Sequence, residues 1–126
     1  MKLIRVDKSA LINPKRNKMA KPNYQELVFD ITRLIPPGRV SSYGAIADYL
    51  ALGSARMVGW ALRNSFIQDG IPAHRVVNSK GELSGRAHFD PPSVMQQLLE
   101  AEGVKVENDR VVNFKEVFWH PEELGW

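Results

Sequence analysis

Cysteine is absent from the 126 residues of this chain. The absence excludes disulfide bonds, cysteine-containing metal sites and thiolate nucleophiles, because each of these needs a sulfur atom. Long hydrophobic runs are also missing, so no segment approaches the length of a membrane span. No stretch of the signal-peptide type opens the chain. We therefore expect a single cytoplasmic domain that is large enough to bury a core without stabilising cross-links.

Acidic residues are scarce at one end of the chain, although the net charge is only +3. Residues 1–21 carry a balance of +6, residues 22–86 of +2 and residues 87–126 of −5. A basic front half is typical of a protein that turns one face to a polyanion. It is also typical of a solvated charged surface, and charge alone favours that second interpretation.

The sequence divides into three segments. Residues 1–20 are polar, basic and without a period, and we expect a flexible arm there. Met19, at the end of this arm, could be an alternative start. Residues 21–119 hold the patterned sequence of one folded domain, and residues 120–126 form a short tail.

The first patterned segment, "NYQELVFDITRLIPPG", predicts a helix. Asn23 can cap it, and Pro36 to Gly38 end it. Its apolar residues recur at helical spacing; they are Leu27, Val28, Ile31 and Leu34.

Two further helices are predicted in tandem by "VSSYGAIADYLALGSARMVGWALRNS". Ser41 or Ser42 caps the first helix, Gly53 breaks it, and Ser54 caps the second. The apolar faces are Ile46, Ala47 and Leu50 in the first helix and Met57, Val58, Ala61 and Leu62 in the second. Two short helices joined by a tight turn are the pattern of a helix-turn-helix, although many helical hairpins share it.

The rest of the chain predicts two hairpins around one more helix. "HRVV" and "GEL" can pair across the turn at residues 78–81, and "VKVENDRVVNF" turns at residues 108–109. Between them lies a helix with Asp90 as its cap, Pro91 in its first turn and Gly103 past its end. Its apolar face is Val94, Leu98 and Ala101, with Met95 and Leu99 beside it. The elements predict a mainly α fold with small β-hairpins, in the order of a winged helix.

Four motifs in this order resemble a known family. "VSSYGAIA", "ARMVGWALRN", "IPAHRVVNSKGELSG" and "LLEAEG" are similar to the C-terminal domain of the O6-alkylguanine-DNA alkyltransferases, over roughly residues 22–119. The repair enzymes of that family read Pro-Cys-His-Arg, and their cysteine accepts the alkyl group. Here that position is Ala73, whose methyl group cannot act as a nucleophile.

The match is therefore to the alkyltransferase-like proteins, which carry tryptophan or alanine at this position. The resemblance implies a protein that is not an enzyme. Such proteins bind O6-alkylguanine in double-stranded DNA from the minor groove and flip the damaged nucleotide into a pocket. They are thought to hand the lesion to nucleotide excision repair. We expect a monomer without metal or cofactor, because His74, His88 and His120 show no reliable ligand spacing with carboxylates.

Two residues are implied by the resemblance to drive the flipping. Tyr43 matches a tyrosine that crowds the phosphate and helps to rotate the nucleotide. Arg56 matches an arginine finger that fills the gap in the base stack, where a planar guanidinium can stack and bond the orphaned cytosine. Without the resemblance, a core tyrosine and a surface arginine are the ordinary interpretations.

Five residues are implied to form or border the alkylguanine pocket. Ala73 lies within it, and its carbonyl and that of Val76 resemble groups that read the exocyclic amine of guanine. Arg86 would lie over the flipped base in a cation–π contact, or meet a phosphate instead. Ala87 could offer its N–H to the O6 atom. Trp60 either packs inside the domain or lines the rim, and we favour packing.

Three residues match the hydrogen-bonded chain that activates the cysteine in the repair enzymes: Asn64, His74 and Glu102. With no thiol to deprotonate, we expect this chain to serve as a structural network. Arg75 should support the same region by ion pairing. The segment "FDPPSV" departs from the family pattern, which puts the contacts of the neighbouring loop in doubt.

Other functions remain open. A winged-helix regulator that reads a DNA sequence would prefer one operator and ignore alkylation. An enzyme that uses His74 as the acceptor, or a water activated by it, would form an adduct or release an alcohol. A DNA-bending or interaction module would have lost lesion binding altogether.

Overall fold

The first helix, α1, runs over Tyr24–Leu34 in the computed structural model, which describes residues 23–65 and 70–125. Asn23 caps it as predicted, since its side chain accepts the N–H of Glu26 at 2.9 Å. Val28 and Ile31 are fully buried. The predicted arm at residues 1–20 lies outside the described residues.

The tandem helices are α2, Tyr43–Tyr49, and α3, Ala55–Arg63. Ser42 caps α2 by accepting the N–H of Ala45 at 3.0 Å. The connection begins earlier than predicted, with a turn at Ala51, whose φ is 57°, and the predicted Gly53 lies in a bend two residues later. The two helices pack against each other and α3 packs on α1, which buries Ile46 and Val58 completely.

The hairpin predicted between "HRVV" and "GEL" is wrong. Strand β1, Ser41–Ser42, pairs in parallel with strand β2, Val76–Val77. Both valines of β2 are fully buried, so a partner from inside the domain suits them better than a solvent-facing wing. The turn itself forms, because the side chain of Asn78 accepts the N–H groups of Lys80 and Glu82.

The second predicted hairpin is confirmed. Strands β3, Val106–Glu107, and β4, Arg110–Val111, pair antiparallel. Asn108 and Asp109 join them with φ of 52° and 58°, which is the backbone that a two-residue hairpin turn with matching twist requires. The backbone of Glu82 bridges to Arg110, so the hairpin also contacts the preceding loop.

The helix between them, α4, covers Ser93–Ala101. It begins after Pro92, so Asp90 is not its cap; the Asp90–Pro91 bond is cis. The predicted apolar face is displaced by one residue. Met95 and Leu99 are fully buried, whereas Ala101 is exposed. Five of the nine residues of this helix are apolar, so the sequence pattern could not select the buried side.

The chain ends with α5, Phe114–Val117, and a 3₁₀ turn at Pro121–Leu124. Residues that the sequence set apart as a tail lie against the domain here, since Arg39 pairs with Glu123 at 3.1 Å and Leu124 packs on the core. Two buried clusters result. One lies among α1, α2 and α3, and the other lies between β2, α4 and the β3–β4 hairpin.

The mainly helical fold class with short strands is confirmed. Among the described residues, no helix has the length and apolar character that crossing a bilayer requires.

Candidate nucleic-acid interface

A cavity of about 340 Å³ opens beside α3. One wall comes from this helix: Ala55, Arg56, Gly59, Trp60, Leu62 and Arg63. The other walls come from Tyr43, Ala73 and the segment that contains Ser84, Gly85, His88 and Phe89. Its size lies at the lower end of the usual range for ligand sites. The lining holds two arginines and a histidine but no carboxylate, so it favours an anionic ligand.

Tyr43 stands at the first position of α2 and turns its hydroxyl toward Gly85. A Cβ atom at Gly85 would lie only 2.5 Å from the Tyr43 Oη atom, so this close approach requires glycine. Burial raises the pKa of the Tyr43 hydroxyl, and a hydrogen bond with Ser84 partly offsets that effect. The hydroxyl is therefore a neutral hydrogen-bond donor in the cavity wall.

Arg56 lies in the first turn of α3 and is exposed. Within the ranges that the structure describes, its guanidinium forms no hydrogen bond or ion pair. The helix N-terminus also favours a nearby anion, because its N–H groups point outward. Arg56 is thus free to bind a group that enters or borders the cavity.

Trp60 lies one turn after Arg56 and is 47% exposed. The expectation that it packs inside the domain is wrong, since the ring lines the cavity instead. Ala61 and Leu62 on the next positions are buried and fill the core side of α3. Because the core side is filled by these smaller residues, the indole remains on the outer face.

Ala73 begins a 3₁₀ turn, Ala73–Arg75, and lines the cavity with a side chain that can do no chemistry. Its carbonyl accepts the N–H of Val76, so one of its two lone-pair positions remains for a ligand. Val76 itself is fully buried in the core and does not line the cavity. Its predicted place in the pocket is not supported by this geometry.

Arg86 and Ala87 are also absent from the cavity lining. The Arg86 side chain turns toward Leu83, whose carbonyl accepts its Nη1 group at 3.0 Å, and toward Asp109 at 3.6 Å. Ala87 is exposed beside it. The segment reaches the cavity through Gly85, His88 and Phe89, because its 3₁₀ turn, Arg86–His88, points residues 86 and 87 outward.

The expected structural network is present for two of its three residues. Glu102 bonds the His74 Nε2 atom at 3.0 Å and the Arg75 Nη2 atom at 2.6 Å. Arg75 also donates to the carbonyl of Ile35 at 2.9 Å, which ties α1 to α4. Asn64 is an exposed C-cap residue of α3, and its side chain has no hydrogen-bond partner among the described residues.

The contacts of this network shift the pKa values of Glu102 and His74. Burial alone would raise the pKa of Glu102, but hydrogen bonds and charges from Arg75 and His74 lower it to about 2. Burial lowers the pKa of His74 more than the Glu102 contact raises it. At neutral pH the cluster is therefore a carboxylate, a guanidinium and a neutral imidazole, which is a structural ion pair.

His120 lies near two carboxylates that the sequence spacing did not suggest, those of Asp48 and Glu122. Its Nδ1 atom accepts the N–H of Glu122 at 3.1 Å. The Nε2 atom lies 3.8 Å from a carboxylate oxygen of Asp48. His120 caps the 3₁₀ turn at Pro121–Leu124, and Asp48 and Glu122 are exposed acidic residues beside it.

Comparison with known proteins places this geometry in a family. Residues 23–104 match the DNA-binding domain of 6-O-methylguanine DNA methyltransferase. Alkyltransferase-like protein 1 of Schizosaccharomyces pombe is 34% identical over 82% of this chain and all of that protein. The chain belongs to the alkyltransferase-like proteins of this family. The resemblance found in the sequence motifs is confirmed.

Two other similarities support this placement. A DNA base-flipping protein of Vibrio parahaemolyticus is 36% identical over 75% of this chain and 93% of its own length. The crystal structure of S. pombe Atl1 with damaged DNA containing O6-carboxymethylguanine superposes with a TM-score of 0.67. The two chains are 35% identical in sequence, and the superposition covers 75% of this chain and 92% of the Atl1 chain.

Proposed function

We propose that this alkyltransferase-like protein is a non-enzymatic sensor of O6-alkylguanine in DNA. It binds the duplex from the minor groove, flips the damaged nucleotide into the cavity beside α3 and flags it for nucleotide excision repair. It acts as a cytoplasmic monomer without a cofactor. The observation that carries the proposal is an open cavity lined by Tyr43, Arg56 and Ala73 on the family's DNA-binding fold.

The cavity supports capture of a flipped base because it combines the hydroxyl donor of Tyr43 with the exposed guanidinium of Arg56. Tyr43 crowds the phosphate of the rotating nucleotide, and Arg56 fills the gap left in the stack. Flipping costs a few kcal/mol, and less when the base pair is already weak. An alkyl group on O6 disturbs pairing with cytosine, so the lesion lowers the cost of its own capture.

The absence of alkyl transfer follows from the residue at position 73. The resemblance aligns Ala73 with the alkyl-accepting cysteine, and the chain has no other cysteine. His74 is a poor substitute nucleophile because Glu102 holds its Nε2 atom at 3.0 Å. The contacts that activate a thiol elsewhere in the family serve here to hold α1, β2 and α4 together.

The small side chain of Ala73 also bears on the choice of lesion. It leaves more room than cysteine or tryptophan would, so the cavity should accept alkyl groups larger than methyl. S. pombe Atl1 is itself found in a crystal structure with DNA that contains O6-carboxymethylguanine, a lesion larger than O6-methylguanine. A binding series that weakens steadily from methyl to benzyl would contradict it.

Nucleotide flipping is tested by a duplex that carries 2-aminopurine next to a single O6-methylguanine. Its fluorescence should rise on addition of the protein, because extrusion of the lesion unstacks the neighbouring base. The Arg56→Ala variant should reduce that rise, while Arg33→Ala, on α1 outside the cavity, should not. A signal that never departs from that of free DNA, despite saturating binding, would exclude flipping.

A further inference from the structure

Val112 is one of two large apolar side chains that are exposed among the described residues. The other, Trp60, lines the cavity already assigned to DNA. Val112 is 51% exposed and directly follows β4, whose Val111 belongs to the second buried cluster. Binding of a lesion in that cavity therefore does not cover Val112.

Val112 borders a groove of about 480 Å³, formed by Lys80 and residues 110–116 and here called the Val112 groove. Its apolar part is held in place by close packing. Gly81, with φ of 81°, lies so near Phe114 that a Cβ atom would be 3.0 Å from the ring. Val111 beside it is buried. The groove is thus a preformed surface with an apolar base.

The rim of the Val112 groove is basic. Lys80, Arg110 and Lys115 are all exposed, and none of them forms an ion pair within the described parts of the chain. Glu116 is the one acidic side chain of the lining, and it approaches the Asn113 amide at 3.5 Å. This excess of cations stands out because residues 87–126 carry a balance of −5.

We propose that the Val112 groove binds an acidic peptide segment of a partner protein, with one apolar side chain of that segment seated on Val112. Exposed cations attract the carboxylates, and burial of an apolar side chain supplies affinity that charge alone lacks. DNA is a poorer match, because phosphates gain nothing from an apolar base. The groove also shares no residue with the cavity beside α3.

The test uses a random peptide library displayed on phage, from which peptides that bind the full chain are selected. Selected peptides are then measured by fluorescence anisotropy against three variants. Val112→Asp removes the apolar contact, and Lys80→Glu with Lys115→Glu reverses two exposed charges. Arg33→Glu is the matched control, because that exposed arginine lies on α1 and outside the groove. Thermal unfolding verifies that each variant folds. If Val112→Asp does not fold, the charge-reversed variant alone tests the proposal.

The proposal expects peptides rich in aspartate and glutamate around an apolar residue. Their affinity should fall about tenfold or more in the groove variants and by no more than about twofold in the control. Selection of neutral or basic peptides, no enrichment at all, or equal binding by every variant would overturn it. A loss of duplex-DNA affinity in the groove variants would make the groove a DNA surface instead. Lesion binding is measured separately, so either proposal can fail alone.

Discussion

Replacing Glu102 with glutamine should destabilise the domain more than any other single charge neutralisation we consider. Glu102 accepts hydrogen bonds from both His74 and Arg75, and the Glu102 and Arg75 side chains are only 17% and 14% exposed. Breaking a buried pair costs about 3–5 kcal/mol, because one charge remains without its partner. Since this pair keeps some solvent contact, we expect about 3 kcal/mol, a large part of a typical domain's stability.

Urea denaturation at neutral pH measures this loss directly. Glu100→Gln is the matched control, because that exposed carboxylate lies on the same helix and, among the described residues, accepts a hydrogen bond from Gln96 alone, at 3.2 Å. The control should change the free energy of unfolding by no more than about 0.5 kcal/mol. An equally small loss for Glu102→Gln would refute the structural role of the network.

The same network predicts how stability depends on pH. The folded-state pKa of Glu102 is lowered from 4.5 to about 2, so its contribution is complete above pH 4.5 and is lost as the pH falls toward 2. His74, whose pKa is also lowered on folding, adds a loss that begins below its ordinary value of 6.5. The difference between wild type and Glu102→Gln should therefore narrow between pH 4.5 and 2. A constant difference across that range would contradict the lowered pKa of Glu102.

Three other predictions concern DNA binding. Gly85→Ala should push the Tyr43 hydroxyl out of the cavity wall and weaken lesion binding about tenfold, with a stability loss of only about 1–2 kcal/mol. Asp109→Asn should release Arg86 from a half-exposed pair so that it can meet a DNA phosphate, and raise duplex affinity by up to about fivefold, as breaking a pair worth at most about 1 kcal/mol allows. Deletion of residues 1–20 should lower affinity for damaged and undamaged duplexes alike and reduce its salt dependence, because phosphate contacts release counterions.

Each of these is measured by fluorescence anisotropy on duplexes with and without O6-methylguanine. Gly53→Ala controls for Gly85→Ala, because its Cβ would meet open space. Glu107→Gln controls for Asp109→Asn, since it removes a charge from the same hairpin without touching Arg86. Equal effects of a variant and its control would contradict the corresponding prediction. An unchanged salt dependence of DNA binding would contradict the prediction for the deletion of residues 1–20.

Local signals predicted most of the helices correctly. The Asn23 and Ser42 caps and the turn at residues 108–109 depend on neighbouring residues alone, and the structure confirms them. The pairing of β2 was not predictable in this way. Val76–Val77 joins Ser41–Ser42, a strand far away in the sequence. Only burial of both faces of β2, which tertiary packing decides, selects that partner.

In the candidate site too, local motifs predicted some residues, whereas others depend on tertiary packing. Tyr43, Arg56 and Ala73 were found from motifs and lie together in the cavity wall. Gly85 and Phe89 were missed as site residues, because their role depends on how a loop approaches α2 and α3. The signal that could have indicated Gly85 is a glycine where no turn requires one, which often marks a close backbone approach.

We propose that this protein recognises O6-alkylguanine without repairing it. The most direct test is a titration against two matched duplexes, one with guanine and one with O6-methylguanine at the same site, followed by intact-mass measurement of the protein. We expect much tighter binding to the damaged duplex and an unchanged protein mass. Equal affinity for the two duplexes would contradict lesion recognition, and a mass gain equal to the alkyl group would show that the protein transfers it.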